Sequence, residues 1–189
     1  MPDRTDTPHT GGTPGTAPPP VDMRPLMAGF PTGVSIVTAT APDGQPWGMT
    51  CTSLCSVSLD PPTLLVCLRR GSPTLDAITA GGAFALNLLH DAARQTAELF
   101  ASGDADRFRR VVWQDGVDQA GPHLTEAAHS IADCAVVDAS DVGTHTVVMG
   151  RVQRVRRLRP QEPLLYGMRR FASWTEVAED GHLFYDFIS

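Results

Sequence analysis

The sequence has 189 residues, of which 42% are hydrophobic and 19% are charged, and its formal net charge is -6 at pH 7. This length suits one domain with a buried core, and the acidic balance argues against nucleic acid as the main partner, because duplex-binding proteins present a basic face. No apolar run approaches the roughly 20 residues that cross a bilayer, and the first residues lack the apolar stretch of a secretory signal. We therefore expect a cytoplasmic protein that binds neither nucleic acid nor a membrane.

Residues 1–20 differ in composition from the rest of the chain. They include six Pro, five Thr and three Gly and, apart from Met1, no large aliphatic or aromatic residue. Such a segment buries too little apolar surface to offset the entropy lost on ordering. We predict a disordered tail over 1–20 and one folded domain over 21–189.

The first half of the folded part begins with a short helix in "MRPLMAGF" and continues as strands. The β-branched stretch "GVSIVTAT" predicts the first strand, and others are predicted at Trp47–Thr52 and Ser56–Leu59. The uninterrupted apolar runs "TLLVCLR" (63–69) and "FALNLL" (84–89) predict strands that are buried on both faces. Between these two runs, "SPTLDAITAG" predicts a helix with a Ser or Thr cap.

The second half mixes one clear helix with further strands. Apolar residues recur at helical spacing over His90–Ala101, which predicts an amphipathic helix. Strands follow at 131–137 and 145–158, in "PLLYGM" and in the terminal "HLFYDFI". Many strands, few helices and no regular strand–helix alternation predict a mainly β protein, a closed or nearly closed barrel with peripheral helices.

Several common catalytic and binding motifs are absent. The chain has no GxGxxG, no P-loop and no GxSxG elbow, which removes three large classes of enzyme. The cysteines lie in apolar surroundings without a CxxC pair, and His123 and His129 have no Cys nearby. This pattern predicts buried free thiols in a reducing compartment and no metal site. The cysteines are Cys51, Cys55, Cys67 and Cys134.

The stretch Gly48–Pro62, "GMTCTSLCSVSLDPP", carries five hydroxyl side chains and almost no charge. A neutral wall of small side chains and backbone groups suits a flat polar heterocycle. Further on, "RRGSPT" brings Arg69, Arg70, Ser72 and Thr74 to the start of a helix, where an anion is favoured. Capping of the helix by Ser72 or Thr74, with solvated arginines, explains these residues equally well. The residues by themselves name no function.

Six segments between Phe30 and Trp174 match a known family in order and spacing. They are "FPTGVSIVTA" (30–39), "GMTCTSLCSVSLDPPTLLVCL" (48–68), "FALNLL" (84–89), "ELFA" with "RF" (98–108), "GTH" (143–145) and "PLLYGMRRF" (163–171). On these segments the chain resembles the flavin reductase family, whose fold is the FMN-binding split barrel. It is most similar to the reductase components of two-component aromatic hydroxylases, such as that of 4-hydroxyphenylacetate 3-monooxygenase. The resemblance implies a homodimer in which NADH or NADPH reduces FMN or FAD for a separate oxygenase.

The resemblance also implies roles for particular residues. The flavin ring is expected to lie against Met49, Thr50, Cys51, Thr52, Ser53 and Leu54, with Thr32 and Gly33 nearby. Its phosphate is expected to bind Ser72 and Thr74 with Arg69 or Arg70. The nicotinamide is expected beside His145, and the C-terminal lip around it comprises Tyr166, Arg169, Arg170 and Phe171. Because the pair before His145 is Gly143-Thr144, with no carboxylate to orient the ring, we expect His145 to shape the pocket rather than donate a proton.

Two alternatives to this reductase remain open. One is a flavoprotein that retains its flavin and acts directly on a biosynthetic intermediate. The other is a non-catalytic module that binds flavin or haem on the same barrel. The sequence does not choose between FMN and FAD or between NADH and NADPH.

Overall fold

The computed structural model describes residues 21–116, 118–158 and 160–175. The helices are α1 (Arg24–Ala28), α2 (Pro73–Gly81) and α3 (Arg94–Ala101), with 3-10 turns at Asp91–Ala93 and Arg107–Arg110. The strands are β1 (Thr32–Gly33), β2 (Ser35–Thr40), β3 (Pro46–Cys51), β4 (Cys55–Leu59), β5 (Pro62–Arg69), β6 (Ala83–Leu89), β7 (Ala128–Val142), β8 (His145–Arg157), β9 (Leu164–Gly167) and β10 (Arg170–Ser173). The prediction of a mainly β protein with few helices is confirmed.

Two of the predictions fall outside these residues, namely the tail over 1–20 and the terminal strand in "HLFYDFI". Within the described ranges, no helix is both long enough and apolar enough to span a membrane.

Seven antiparallel strands form the main sheet, in the order β3-β2-β6-β7-β8-β5-β4. The central strand β6 is buried along most of its length, as its apolar run predicts. In β5, by contrast, Val66 and Leu68 are fully buried while their neighbours Leu65 and Cys67 are half-buried. The prediction of burial on both faces is therefore wrong for β5, because only one of its faces meets the core.

The main sheet curls until β3 approaches β5. Residues from both strands share one core cluster, in which Cys51 and Val66 are buried together with side chains of α2. Just beyond β3, the Ser53 hydroxyl donates to the Cys67 carbonyl oxygen (3.0 Å) and accepts from the Cys67 N–H (3.1 Å). One side chain thus bridges the gap between these strands, as a nearly closed barrel requires.

A smaller sheet, in the order β1-β9-β10, lies beside the barrel. It is joined to the barrel at Val34, whose N–H donates to the Leu164 carbonyl oxygen (2.9 Å). Helix α1 contacts the β9–β10 turn through a bond from the Met168 N–H to the Ala28 carbonyl oxygen (2.7 Å). Helix α3 packs Phe100 into a second core that also contains Val34. Helices α1 and α3 and the small sheet therefore surround the loop that follows β3.

Candidate active site

The loop Thr52–Leu54, between β3 and β4, lies where three cavities meet. The front cavity, of about 830 Å³, is bounded by this loop, α1 and the β9–β10 turn. The inner cavity, of about 290 Å³, lies between the loop, β1 and β6. The side cavity, of about 450 Å³, lies between the loop, α3 and β10. Thr52 lines all three cavities, so it occupies the centre of the candidate site.

The hydroxyl groups of this region have different partners. The Thr50 hydroxyl donates to the Ala97 carbonyl oxygen (2.6 Å) and so fixes α3 on β3. The Ser53 hydroxyl is taken up by the backbone of Cys67 and lies 3.2 Å from the Cys51 sulfur. Among the described residues, the exposed Thr52 hydroxyl has no partner. It is therefore the one available to a ligand in all three cavities.

Two residues predicted to line the ring lie behind the cavity wall. Successive side chains of a strand point to opposite faces, so Met49 and Cys51 face away from Thr50. Met49 packs against the barrel core, and Cys51 is buried within it. Burial raises the pKa of the Cys51 thiol, which keeps it protonated at neutral pH. Neither residue lines any of the three cavities.

The remaining residues of the predicted ring site are brought together around Thr52. Thr32 lines the front and inner cavities, and Gly33 and Leu54 line the inner cavity. Tyr166 and Phe171 form an edge-to-face pair with ring centroids 5.1 Å apart, and both line the side cavity. This arrangement offers flat apolar surfaces next to the Thr52 hydroxyl.

The predicted phosphate-binding residues gather at the end of β5. The Arg70 N–H donates to the Thr144 carbonyl oxygen (3.0 Å), and its guanidinium pairs with Asp141 (3.2 Å). Arg69 pairs in register with His145 on β8. Because strands rise about 3.3 Å per residue, Arg69 lies roughly 7 Å along β5 from Cys67, which Ser53 contacts. We call Arg69, Arg70 and His145 the basic cluster. It adjoins the loop, although its residues line none of the three cavities.

The sequence predicted either an anion site at the start of α2 or capping of this helix by Ser72 or Thr74. Ser72 is the N-cap residue, and its hydroxyl accepts from the Leu75 N–H (3.3 Å). Thr74 is buried, at 3% exposure, so its side chain is not available to a ligand. The capping interpretation of Ser72 is therefore confirmed, and phosphate binding by Ser72 stays a prediction, because its hydroxyl keeps a hydrogen to donate.

His145 lies on the surface, at the first position of β8 after the turn at Gly143. Its Nδ1 atom is 3.0 Å from the Thr144 hydroxyl oxygen. It lines none of the three cavities and instead stands beside Arg69 in the basic cluster.

Sequence reasoning missed several residues that line the cavities. Arg24, Met27 and Phe30 of the α1 region line the front cavity. The signal was available, because Met27 and Phe30 are large apolar residues next to a Pro-rich segment. His129 lines the inner cavity, where desolvation lowers its pKa and His90 adds to the effect. Among the described residues, no cluster of three or more His, Cys, Asp or Glu side chains forms a possible metal site.

Comparison with known proteins identifies the family. The model of the flavin reductase like domain matches residues 27–175, which include the loop, both sheets and all three helices apart from the first residues of α1. The chain belongs to this family. The recognition, fold class and enzyme class expected from the sequence are thereby confirmed.

Some relatives of this flavin reductase are named for NADPH and others for NADH. A flavin reductase (NADPH) of Lentzea aerocolonigenes is 52% identical over 154 residues, covering 82% of this chain and 89% of the relative. The NADH:FAD oxidoreductase SgcE6 of Streptomyces globisporus, solved with NAD and FAD fragments, is 32% identical with a TM-score of 0.73; the match covers 79% of this chain and 89% of that one. The styrene monooxygenase flavin reductase of Pseudomonas putida S12 is 28% identical with a TM-score of 0.72, covering 80% and 97%.

Proposed function

We propose that this flavin reductase uses NADH or NADPH to reduce FMN or FAD, and that the reduced flavin is supplied to a separate monooxygenase. The observation that carries the proposal is the junction of three cavities at the free Thr52 hydroxyl, next to a basic cluster. A bound flavin supplies the acceptor for the hydride of a dihydronicotinamide. The protein therefore has to bind and align two ring systems, and it needs no nucleophile or strong acid.

The lining of the inner and side cavities fits a flavin ring. None of the described residues that line the inner cavity is Asp, Glu, Lys or Arg, so a neutral ring meets no buried charge from them. The Thr52 hydroxyl donates to an acceptor on the ring edge, where negative charge develops on reduction. Tyr166 and Phe171 supply aromatic surface to the same junction.

The end of β5 fits the flavin phosphate. Among the described residues at the end of β5, Arg69 is the arginine without an ion pair, since Arg70 is paired with Asp141. His145 is exposed beside Arg69 and lines none of the three cavities, so its role in shaping the nicotinamide pocket stays a prediction.

The assembly that we propose is a homodimer. The outer face of β5 and β8 carries Leu65, Cys67, Val147 and Met149, which are half-buried and adjacent in register. An apolar surface of this kind is typical of an interaction site. All four cysteines are free, which suits a reducing cytoplasm, but the prediction that they are all buried is wrong, because Cys55 is exposed and Cys67 is half-buried.

The test is aerobic oxidation of NADH and NADPH by the purified chain, with FMN, FAD or no added flavin. We expect the rate to rise with free flavin and to saturate, and gel filtration to strip most of the flavin from the protein. A stoichiometric flavin that survives gel filtration, without turnover of added flavin, would instead indicate a flavoprotein with its own substrate. Thermal stabilisation by flavin without oxidation of either nucleotide would indicate a binding module.

A further inference from the structure

The three cavities differ in the titratable residues that line them. Among the described residues, His129 is the one titratable residue in the lining of the inner cavity. The other two cavities present full charges, from Arg24 and Arg169 in the front cavity and from Glu98 in the side cavity. His129 shares the inner cavity with Thr52, at the junction of all three. A flavin ring in the inner cavity therefore meets one group that can gain a charge.

His129 occupies a β-bulge. In the pairing of β6 with β7, Leu88 lies opposite Ser130 and Leu89 lies opposite Ala128, so His129 is the extra residue between them. Bulges re-aim side chains and are frequent next to active sites. Leu88 and Leu89 also line the inner cavity, so the ladder is interrupted at the cavity wall.

The imidazole of His129 has one nitrogen that is held and one that is free. Its Nδ1 atom lies 3.1 Å from the Ser130 hydroxyl oxygen, and the residue is half-buried. When the hydroxyl donates to Nδ1, the proton of the neutral ring is on Nε2. Among the described residues, Nε2 has no partner. His129 can therefore donate from Nε2 to a ligand.

The surroundings of His129 keep it neutral in the free protein. Desolvation, and then His90 at the end of β6, lower its pKa below the ordinary value for histidine. His90 Nδ1 in turn lies 3.8 Å from an Asp91 oxygen, and Arg157 of β8 pairs in register with Ser130. Among the described residues, no carboxylate pairs with His129, and the loop, β1 and β9 add no charged side chain to the cavity lining.

Hydride transfer changes the charge that His129 would face. A hydride carries two electrons and one proton, so an uncharged ring that accepts it becomes an anion. An imidazolium donates a charge-assisted hydrogen bond to an anion, and such a bond is about twice as strong as a neutral one. The anion thus favours proton uptake by His129, against the desolvation that keeps the free imidazole neutral.

We propose that His129 binds the flavin ring and takes up a solvent proton when the reduced flavin is bound, so that reduced flavin is held tightly at low pH and released as the pH rises. This inference rests on the proposed function, because it concerns the product of that reaction. The anion binds the protonated form of His129, so affinity is highest below the pKa of His129 in the complex and is lost as the pH rises through it.

The test measures the Kd of oxidised and of photoreduced FMN by anaerobic titration at about pH 6 and about pH 8. The two forms share the phosphate, so a change confined to reduced FMN reports on the ring. His129→Gln keeps an amide donor but cannot take up a proton. At the lower pH we expect it to weaken reduced FMN about 10-fold, the effect of losing a hydrogen bond to a charged group, and oxidised FMN less than about 2-fold. At the higher pH the variant should match the unsubstituted protein.

The matched control is His123→Gln. His123 Nε2 lies 2.8 Å from an Asp133 oxygen, to which a glutamine amide can still donate, and His123 lines none of the three cavities. This variant should bind both forms of FMN as the unsubstituted protein does. If His129→Gln has no effect, or weakens reduced FMN equally at both pH values, or weakens both forms of FMN equally, the proposal is overturned.

Proton uptake can also be measured directly, without turnover. Reduced FMN is mixed anaerobically with the protein in a weakly buffered solution of a pH indicator, at about pH 7. The unsubstituted protein should take up more protons than His129→Gln, and equal uptake contradicts the proposal. A chain that binds both forms of FMN with equal uptake in the two proteins overturns this inference alone. A chain that binds neither form overturns the proposed function as well.

Discussion

At the scale of single residues, the free hydroxyl of Thr52 gives the sharpest test of the site. Thr52→Val keeps the branched shape and removes the hydroxyl, so the ring edge loses one hydrogen bond. We expect the KM for flavin to rise about 2- to 10-fold, the effect of a net 0.5–1.5 kcal/mol. Steady-state kinetics at saturating nicotinamide nucleotide measure this change.

The matched control for Thr52 is Thr125→Val, on the segment before β7. Thr125 is half-buried and lines none of the three cavities, so its loss should leave the KM for flavin unchanged. Equal changes in the two variants, or no change in Thr52→Val, would show that the Thr52 hydroxyl does not contact the ring.

The thiols give a second residue-level prediction. Cys55 is exposed and lines the front cavity, whereas burial raises the pKa of Cys134 to about 12, with Asp133 adding to the effect. The thiolate is the form that attacks a thiol reagent, so Cys134, which stays protonated, is unreactive at pH 8. We expect Cys55 to react in the first phase and Cys55→Ser to remove that phase. Modification of Cys134 in the folded protein would contradict this packing.

The sequence could indicate the hydroxyl-rich stretch but not the use of each hydroxyl. Thr50, Thr52 and Ser53 look equivalent in sequence, since each is a small alcohol near the end of one strand. The closure of the barrel separates them, because Ser53 reaches Cys67 and Thr50 reaches Ala97, both distant in the chain. Partners of this kind depend on the curvature of the whole sheet, which local pattern does not encode.

At the scale of elements, close packing between strands depends on a glycine. A Cβ atom built on Gly150 of β8 would lie 2.6 Å from Cζ of the Phe84 ring, which is fully buried in the core. Gly150→Ala should therefore lower the free energy of unfolding by about 1–3 kcal/mol, the cost of overpacking a core. Urea denaturation measures this loss of stability. Gly29→Ala is the control, because a Cβ atom on Gly29 would lie 3.6 Å from the Leu26 carbonyl oxygen, which is ordinary van der Waals contact. Equal stability of the two variants would show that the core accommodates the methyl group.

Elements with a strong local pattern were predicted well, and those held by distant polar groups were not. β6 and the helix ending at Ala101 follow their apolar periodicity. The segment from 102 to 127 has no such pattern, and buried polar side chains hold it on the sheet. The Asn87 side-chain oxygen accepts from the Leu124 N–H (2.8 Å), and His123 Nε2 lies 2.8 Å from an Asp133 oxygen. In the sequence, Asn87 and Asp133 are isolated polar residues in apolar strands, and nothing near them indicates which segment each would bind.

At the scale of the whole molecule, the sequence predicted the family and barrel but not the full boundary of the site. The six matching segments include most of β1 to β6 and β9, but they leave out β7 and all of β8 except His145. Helix α1 lies before the first of these segments, and its role in the front cavity therefore went unnoticed. The arginine of α1 and the arginine of the β9–β10 turn are far apart in sequence, and the pairing of β1 with β9 and the bond between Met168 and Ala28 bring them to one cavity.

The proposed homodimer gives the last prediction. Val147 lies on the half-buried outer face of β8, where a charge would have to be buried if two copies meet there. Light scattering coupled to gel filtration should show a mass twice the 20.2 kDa of the chain, and Val147→Lys should reduce it to that of a monomer. Val112→Lys, at a position that is already 60% exposed, should remain dimeric. A dimer that survives in Val147→Lys places the interface on another face, whereas a monomer that also loses flavin affinity shows that the second copy completes the site.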